Sequence, residues 1–196
     1  MASGNVGKLR EIARMLADLD IEVVPQSEFG VRDADETGST FVENALLKAR
    51  HAAQLTGLPA IADDSGLAVD ALDGRPGVYS ARYAGPDADP EKNIDRLLAE
   101  LADVPDGQRG AAFHCVACFV TDENSEPVIA EGEWRGEILR LRQGCGGFGY
   151  DPVFFDPELG CSSAELTAAQ KDARSHRGKA LQSLLRKLRE MAWIQN

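Results

Sequence analysis

The chain has 196 residues, 43% of them hydrophobic, and a formal net charge of −11 at pH 7. That is apolar material enough for the core of one large domain, and so acidic a surface repels DNA, RNA and anionic membranes. No apolar run reaches the roughly 18 residues of a membrane span, and no basic-then-apolar leader opens the chain, so a cytoplasmic protein is expected.

Only Met1 and Ala2 precede Ser3-Gly4-Asn5-Val6-Gly7-Lys8, a small-residue loop ending in a lysine. Leu9, Ile12, Ala13, Leu16 and Leu19 then recur at helical spacing and predict a helix over 8–19. Residues 21–24 read as a short strand. Thr40 and Glu43 form a capping box for a helix through Phe41, Ala45, Ala49 and Ala52, stopped by Thr56-Gly57 with Pro59 beyond. The apolar run 60–62 predicts a buried strand whose C-terminal end delivers Asp63 and Asp64. Leu67, Val69 and Ala71 alternate as a further strand would, and 73–77 reads as a turn.

Asp89-Pro90 opens a helix carrying Ile94, Leu97, Leu98 and Leu101. Strands are predicted over 111–121, 127–131 and 133–139, followed by a glycine-rich loop over 144–149 and a strand over 153–155. Thr167 and Gln170 resemble another capping box, and the last helix shows Leu181, Leu184, Leu185, Leu188 and Met191 on one face. Neither repeat nor linker interrupts this α/β pattern. Cys115-x-x-Cys118 has the spacing of a zinc or redox motif, but residues three apart on a strand point to opposite faces, so reduced cysteines are expected.

Four segments could carry chemistry. Ser3, Gly4, Asn5, Val6, Gly7 and Lys8 suit a phosphate chain, since backbone N–H groups at a helix start favour anionic oxygens; the loop lacks the Gly-Lys-Ser/Thr ending of a Walker loop. Asp63-Asp64-Ser65-Gly66 suits Mg²⁺ or a proton acceptor. Adjacent strand residues face opposite ways, and Asp64, beside Ser65, is the preferred acid. Glu36 and Glu43 are further acids, although Glu43 is explained by capping. Phe148-Gly149-Tyr150-Asp151 could stack on and bond a base, the glycines allowing close approach. Lys171 and Ser175-His176-Arg177-Gly178 could meet phosphate and a base carbonyl; a charged helix start is the bland alternative.

Together these segments resemble the inosine/xanthosine triphosphate pyrophosphatase family, the Ham1/RdgB-like enzymes, in its bacterial branch. The matching stretches are 3–8, 36–45, 62–67, 76–85, 146–152 and 175–178, in family order and over nearly the whole chain. The resemblance implies one domain over 1–196: an elongated, two-lobed ITPase-like (Maf/Ham1-type) α/β fold with a central mixed β-sheet and a cleft between lobes. It implies a homodimer and Mg²⁺-dependent cleavage of ITP, dITP or XTP to the monophosphate and pyrophosphate. On that basis Ser3 to Lys8 would hold the triphosphate, and Asp64 would accept a proton and ligate metal, with Glu36 as second ligand. Ser65, Phe148 to Asp151, Lys171, His176 and Arg177 would line the substrate pocket. The family carries a full apolar strand before the phosphate loop; nearly all of it is expected to be missing here, exposing neighbouring strand edges and apolar surface. The competing readings are a pyrophosphatase for other modified nucleotides and a non-catalytic nucleotide sensor.

Overall fold

The computed structural model describes residues 1–194 apart from Asp18, Asp20, Asp87 and Ala88. Its helices are α1 (Val6–Leu16), α2 (Phe41–Thr56), α3 (Pro90–Glu100), α4 (Ala168–Arg174) and α5 (His176–Glu190). Its strands are β1 (Ala60–Val69), β2 (Gly110–Val120), β3 (Val128–Ile138), β4 (Phe154–Asp156) and β5 (Cys161–Ser162). They form one sheet in the order β1-β2-β3-β4-β5. β3 pairs with β4 and β4 with β5, both antiparallel, with Glu137 opposite Phe155 and Phe155 opposite Ser162.

The chain divides into two compact units, one comprising Met1–Asp64, Cys115–Gly132 and His176–Asn196, the other Ser65–His114 and Glu133–Ser175. In the first unit, β2 alternates between two apolar layers. Cys115, Ala117 and Phe119 join Ile12 and Leu16 of α1 and Leu181, Leu184, Leu185 and Leu188 of α5. Val116, Cys118 and Val120 join Ala45, Ala49, Ala52 and Ala53 of α2. Period-two alternation puts the two sets on opposite faces of the sheet, which is why β2 reads as a nearly continuous apolar run. It also keeps Cys115 and Cys118 apart, and both are free thiols.

The same alternation runs along β1. Ile61 packs with the α1–α5 layer, whereas Ala60 and Ala62 pack with α2. Met1 and Ala2 lie alongside: Ala2 N–H donates to the Ile61 carbonyl (2.8 Å), Gln26 N–H to the Met1 carbonyl (3.0 Å), and the Met1 ammonium to the Val24 carbonyl (2.8 Å). Burial lowers the pKa of that amine. An apolar cavity of about 400 Å³ in this unit is lined by Met1, Val24, Ile61, Phe119, Leu188 and Trp193, among others.

The second unit is built around Trp134, Phe154 and Phe113, whose rings pack tilted (Phe113–Phe154, centroids 4.6 Å apart) and edge-to-face (Trp134–Phe154, 4.9 Å). Leu67, Val69, Ile94, Leu97 and Leu101 complete this core. Buried Arg109 satisfies the carbonyls of Leu101 (2.6 Å), Ile138 (2.7 Å) and Leu139 (3.2 Å).

Several sequence expectations change. β1 is one continuous strand, so Asp63 and Asp64 lie in its middle rather than at an end. β3 is likewise continuous across Gly132. Residues 21–24 form no strand, and the Val24 carbonyl accepts from the Met1 ammonium. α1 begins at Val6 and ends at Leu16, leaving Leu19 outside it, with Asp18 outside the described residues. Met191 lies past the end of α5 and is exposed rather than on the buried face.

Candidate active site

The phosphate-loop candidate is shaped by a local cap. Asn5 has extended backbone, and its side-chain oxygen accepts from Lys8 N–H at 3.1 Å, starting α1 at Val6. Ser3 is buried and its Oγ accepts from Asn5 N–H at 3.2 Å. Gly4, Asn5 and Val6 are exposed and Gly7 and Lys8 half-buried. The first turn of α1 carries no acidic residue of its own, but the Asp33 carboxylate packs against Gly4 and Asp63 pairs with Lys8.

Behind that loop, β1 turns its two aspartates to opposite faces. Asp63 continues the Ile61 side, towards α1 and α5. Its Oδ2 lies 3.0 Å from Lys8 Nζ and 3.2 Å from Arg177 Nε. Burial alone would raise the Asp63 pKa, but Lys8, Arg177 and Lys48 outweigh it and hold the carboxyl well below the usual range. Arg177 also pairs with Glu11 of α1. Burial opposes its charge, yet Asp63, Cys115 and Glu11 together raise its pKa.

Asp64 continues the Ala60–Ala62 side, towards α2. Its Oδ1 lies 2.7 Å from Lys48 Nζ, and its Oδ2 accepts from Asn44 Nδ2 at 3.4 Å. Lys48 Nζ also lies 3.0 Å from Glu36 Oε1. Burial pushes the Asp64 carboxyl up; Lys48 and Lys8 pull it down, and the net shift is upward. For Lys48, burial acts against the charge, but Asp64, Asp63 and Glu36 prevail and its pKa is raised. Glu36 and Asp64 therefore converge on one cation. Glu43 does not join them: its carboxylate accepts from Ser39 N–H (2.7 Å) and Thr40 N–H (3.2 Å) as the capping box requires.

Lys48 and Asn44 were missed by sequence reasoning. Their signal was present: both sit in the buried alanine stripe of α2, four residues apart and hence on one face. Glu11, three residues from Lys8 in α1, was missed in the same way.

In the second unit, the glycine-rich loop is held by Asp151. Its Oδ2 accepts from Phe148 N–H (2.8 Å) and pairs with Lys171 Nζ (2.5 Å), while Oδ1 accepts from Ser163 Oγ (2.9 Å). Lys171 also lies over the Phe148 ring, 4.7 Å from its centroid. Gly147 has φ of +71°, and a Cβ there would fall 2.0 Å from Asp151 Oδ2. Part of the glycine density thus serves the loop's own packing, rather than approach to a ligand. Asp151 is buried, with its carboxylate engaged by Phe148, Ser163 and Lys171. Tyr150 is a core residue whose hydroxyl donates to the Ser80 carbonyl (2.9 Å), and burial raises its pKa. Gly149 is half-buried, and Ser65 follows Asp64 in β1.

His176 and Arg177 open α5 and are both buried, 5% and 3% exposed. Their burial makes them parts of the packed layer rather than a charged helix start in solvent. Gly132 marks how closely β3 approaches: a Cβ there would fall 2.1 Å from the His176 carbonyl oxygen.

The first unit thus gathers an open helix start with its lysine, and two carboxylates, one of raised pKa, sharing a second lysine. Such a set can bind anionic oxygens and take a proton. Residues 1–187 match the model of the Ham1 family. A protein of Pectobacterium atrosepticum named dITP/XTP pyrophosphatase is 58% identical over 190 residues, 96% of each chain. The solved structure of a HAM1 protein from Coxiella burnetii superposes with a TM-score of 0.88 at 51% identity over 96% of each chain. The Staphylococcus aureus Ham1 protein gives 0.85 at 41% identity over 97% of each.

Proposed function

The chain belongs to the Ham1 family, and from that membership and the geometry of its first unit we propose how it works. It is a nucleoside-triphosphate pyrophosphatase that hydrolyses non-canonical purine nucleoside triphosphates, as the naming of its relatives as dITP/XTP pyrophosphatases supports. The observation that carries the reading is the convergence on Lys48 of Glu36 and Asp64, the latter on the strand that also bears Asp63, the partner of Lys8.

The α-phosphorus of the nucleotide is attacked by water, the bond to the bridging oxygen breaks, and pyrophosphate leaves with the monophosphate retained. The exposed N-terminus of α1, with Asn5 and Lys8, holds the phosphates. Asp64, buried beside Lys48, accepts the water's proton. Lys48 holds Asp64 and Glu36 in place and neutralises charge as it develops.

Mg²⁺ is the metal we assign. Two carboxylates already sharing one cation are the donor set that ion takes from a protein when phosphates supply the rest. When bound, the ion would withdraw charge from the phosphates and acidify water.

Hypoxanthine and xanthine carry a carbonyl where adenine carries an amino group. Buried donors paired with that carbonyl would be left unpaired by adenine, a discrimination on the order of 10⁴. Phe148, Lys171 and His176 are the candidates for contact with the purine, on the family resemblance. A homodimer and a cytoplasmic location complete the proposal; among the described residues no helix is long and apolar enough to cross a membrane. The direct test is Asp64→Asn. Retained nucleotide binding with turnover abolished supports the enzyme. Unchanged phosphohydrolysis would remove Asp64 from the chemistry, and a wild-type protein that binds without turning over would favour a sensor.

A further inference from the structure

We propose that Asp63 is a positioning residue for the phosphate loop, tying Lys8 to α5 through Arg177 so that the loop is preformed before a triphosphate arrives. The inference rests on the reading of residues 3–8 as the triphosphate seat.

Four side chains close a ring. Lys8 pairs with Asp63 at 3.0 Å, Asp63 with Arg177 at 3.2 Å, and Arg177 with Glu11, which returns to α1 one turn beyond Lys8. The ring joins three elements remote in sequence, α1, β1 and α5. Asp63 and Arg177 are 2% and 3% exposed, and the Lys8 side chain 14%. Charges so buried must be matched, and here they are: two cations meet two carboxylates, so no substrate is needed to balance them. A loop whose lysine is held in the free protein loses less freedom on binding anion than one that must be ordered.

The ring also sets what Arg177 does. Its guanidinium is committed to Asp63 and Glu11, so its contribution is to anchor α5 on α1 and β1. Anchoring should affect every triphosphate alike, whatever the base.

The experiment compares Asp63→Asn, Glu11→Gln and Asp63→Glu with the wild type, in the presence of Mg²⁺ and well below each melting temperature. It reads the Kd of inorganic tripolyphosphate and the KM and kcat for ITP and ATP. The expected result is a rise of about tenfold in tripolyphosphate Kd and in KM for both nucleotides, with the ITP-over-ATP preference unchanged and partial rescue in Asp63→Glu. Should Asp63→Asn not fold, Glu11→Gln, which leaves loop and strand intact, carries the test. Folded variants with wild-type tripolyphosphate Kd would reduce the ring to a purely structural one and overturn the inference. Loss of purine preference without weaker tripolyphosphate binding would overturn it too, by making Arg177 a reader of the base. A wild type that neither binds tripolyphosphate nor cleaves ITP would defeat the proposed function, and this inference with it; wild-type activity with indifferent variants defeats the inference alone.

Discussion

Asp63 and Asp64 are consecutive in β1 yet answer to different helices: Asp63 pairs with Lys8 of α1 and Arg177 of α5, and Asp64 with Lys48 and Asn44 of α2. The pleat of the strand is the cause, since it sends neighbouring side chains to opposite faces. One carboxylate is tied through Oδ2 into an internal ring, with its pKa pulled down. The other shares a lysine with Glu36, with its pKa pushed up by burial. Two identical residues thereby acquire different chemistry from their surroundings alone.

Lys48 is the residue on which that second site turns. Lys48→Met leaves Asp64 and Glu36 close together without the cation they share. Turnover is expected to fall by about 10²-fold or more, with helix content retained. Single-turnover kinetics beside circular dichroism would check it; a kcat within twofold of wild type would remove Lys48 from the mechanism.

The cap of α1 is expected to matter for both stability and binding. Asn5→Ala removes the acceptor of Lys8 N–H and should cost about 1 kcal/mol. Because the same turn faces the phosphates in the proposed function, KM should rise while kcat holds. Asn5→Asp keeps the cap but adds a negative charge at the anion seat, so it should preserve the melting temperature and still raise KM.

Gly132 is fixed by contact rather than by backbone angle. A Cβ at this position meets the His176 carbonyl oxygen at 2.1 Å and the Ala180 nitrogen at 2.6 Å. Both are main-chain atoms that no rotamer change can move away. Gly132→Ala should therefore destabilise by about 2 kcal/mol or more, measured by urea unfolding.

Asp156 supplies the pH dependence. It has no exposed surface, and its carboxylate accepts from Trp134 Nε1 (2.8 Å), Arg174 Nε (2.8 Å) and the N–H groups of Glu158 (2.9 Å) and Leu159 (3.3 Å). Burial would raise its pKa, but Arg174, Trp134 and these backbone donors overcome it, so the folded value lies below the unfolded one. A depressed carboxylate stabilises above its unfolded pKa of about 4 and loses that contribution as pH falls through the lower folded value. Asp156→Asn should thus cost about 2–4 kcal/mol at pH 7, and the gap to wild type should narrow as pH falls through the depressed folded value. Unfolding titrations at several pH values would show it; a gap independent of pH would contradict the assignment.

Helix starts were legible because their signals are local. Thr40 with Glu43, Asp89 with Pro90, and Thr167 with Gln170 each cap as their spacing indicates. Strand limits were less so. Asp63 and Asp64 read as the end of a strand because acids seldom sit inside one. The lysines and arginine that make their burial possible come from helices up to 114 residues away. Gly132 read as a break between two strands, whereas it is the point where β3 admits α5. The motif residues of the site were found from their local pattern and the family resemblance; Lys48, Asn44 and Glu11 were not, because a polar residue in an apolar stripe gains meaning only when its partner strand is known. No spacing reveals that Phe148, Ser163 and Lys171 engage the Asp151 carboxylate.

The most direct measurement is turnover of ITP, dITP, XTP, GTP and ATP with Mg²⁺, with every product identified. The expected result is monophosphate and pyrophosphate from ITP, dITP and XTP, with little from GTP or ATP. Release of orthophosphate in place of pyrophosphate, or equal cleavage of ATP and ITP, would contradict the account.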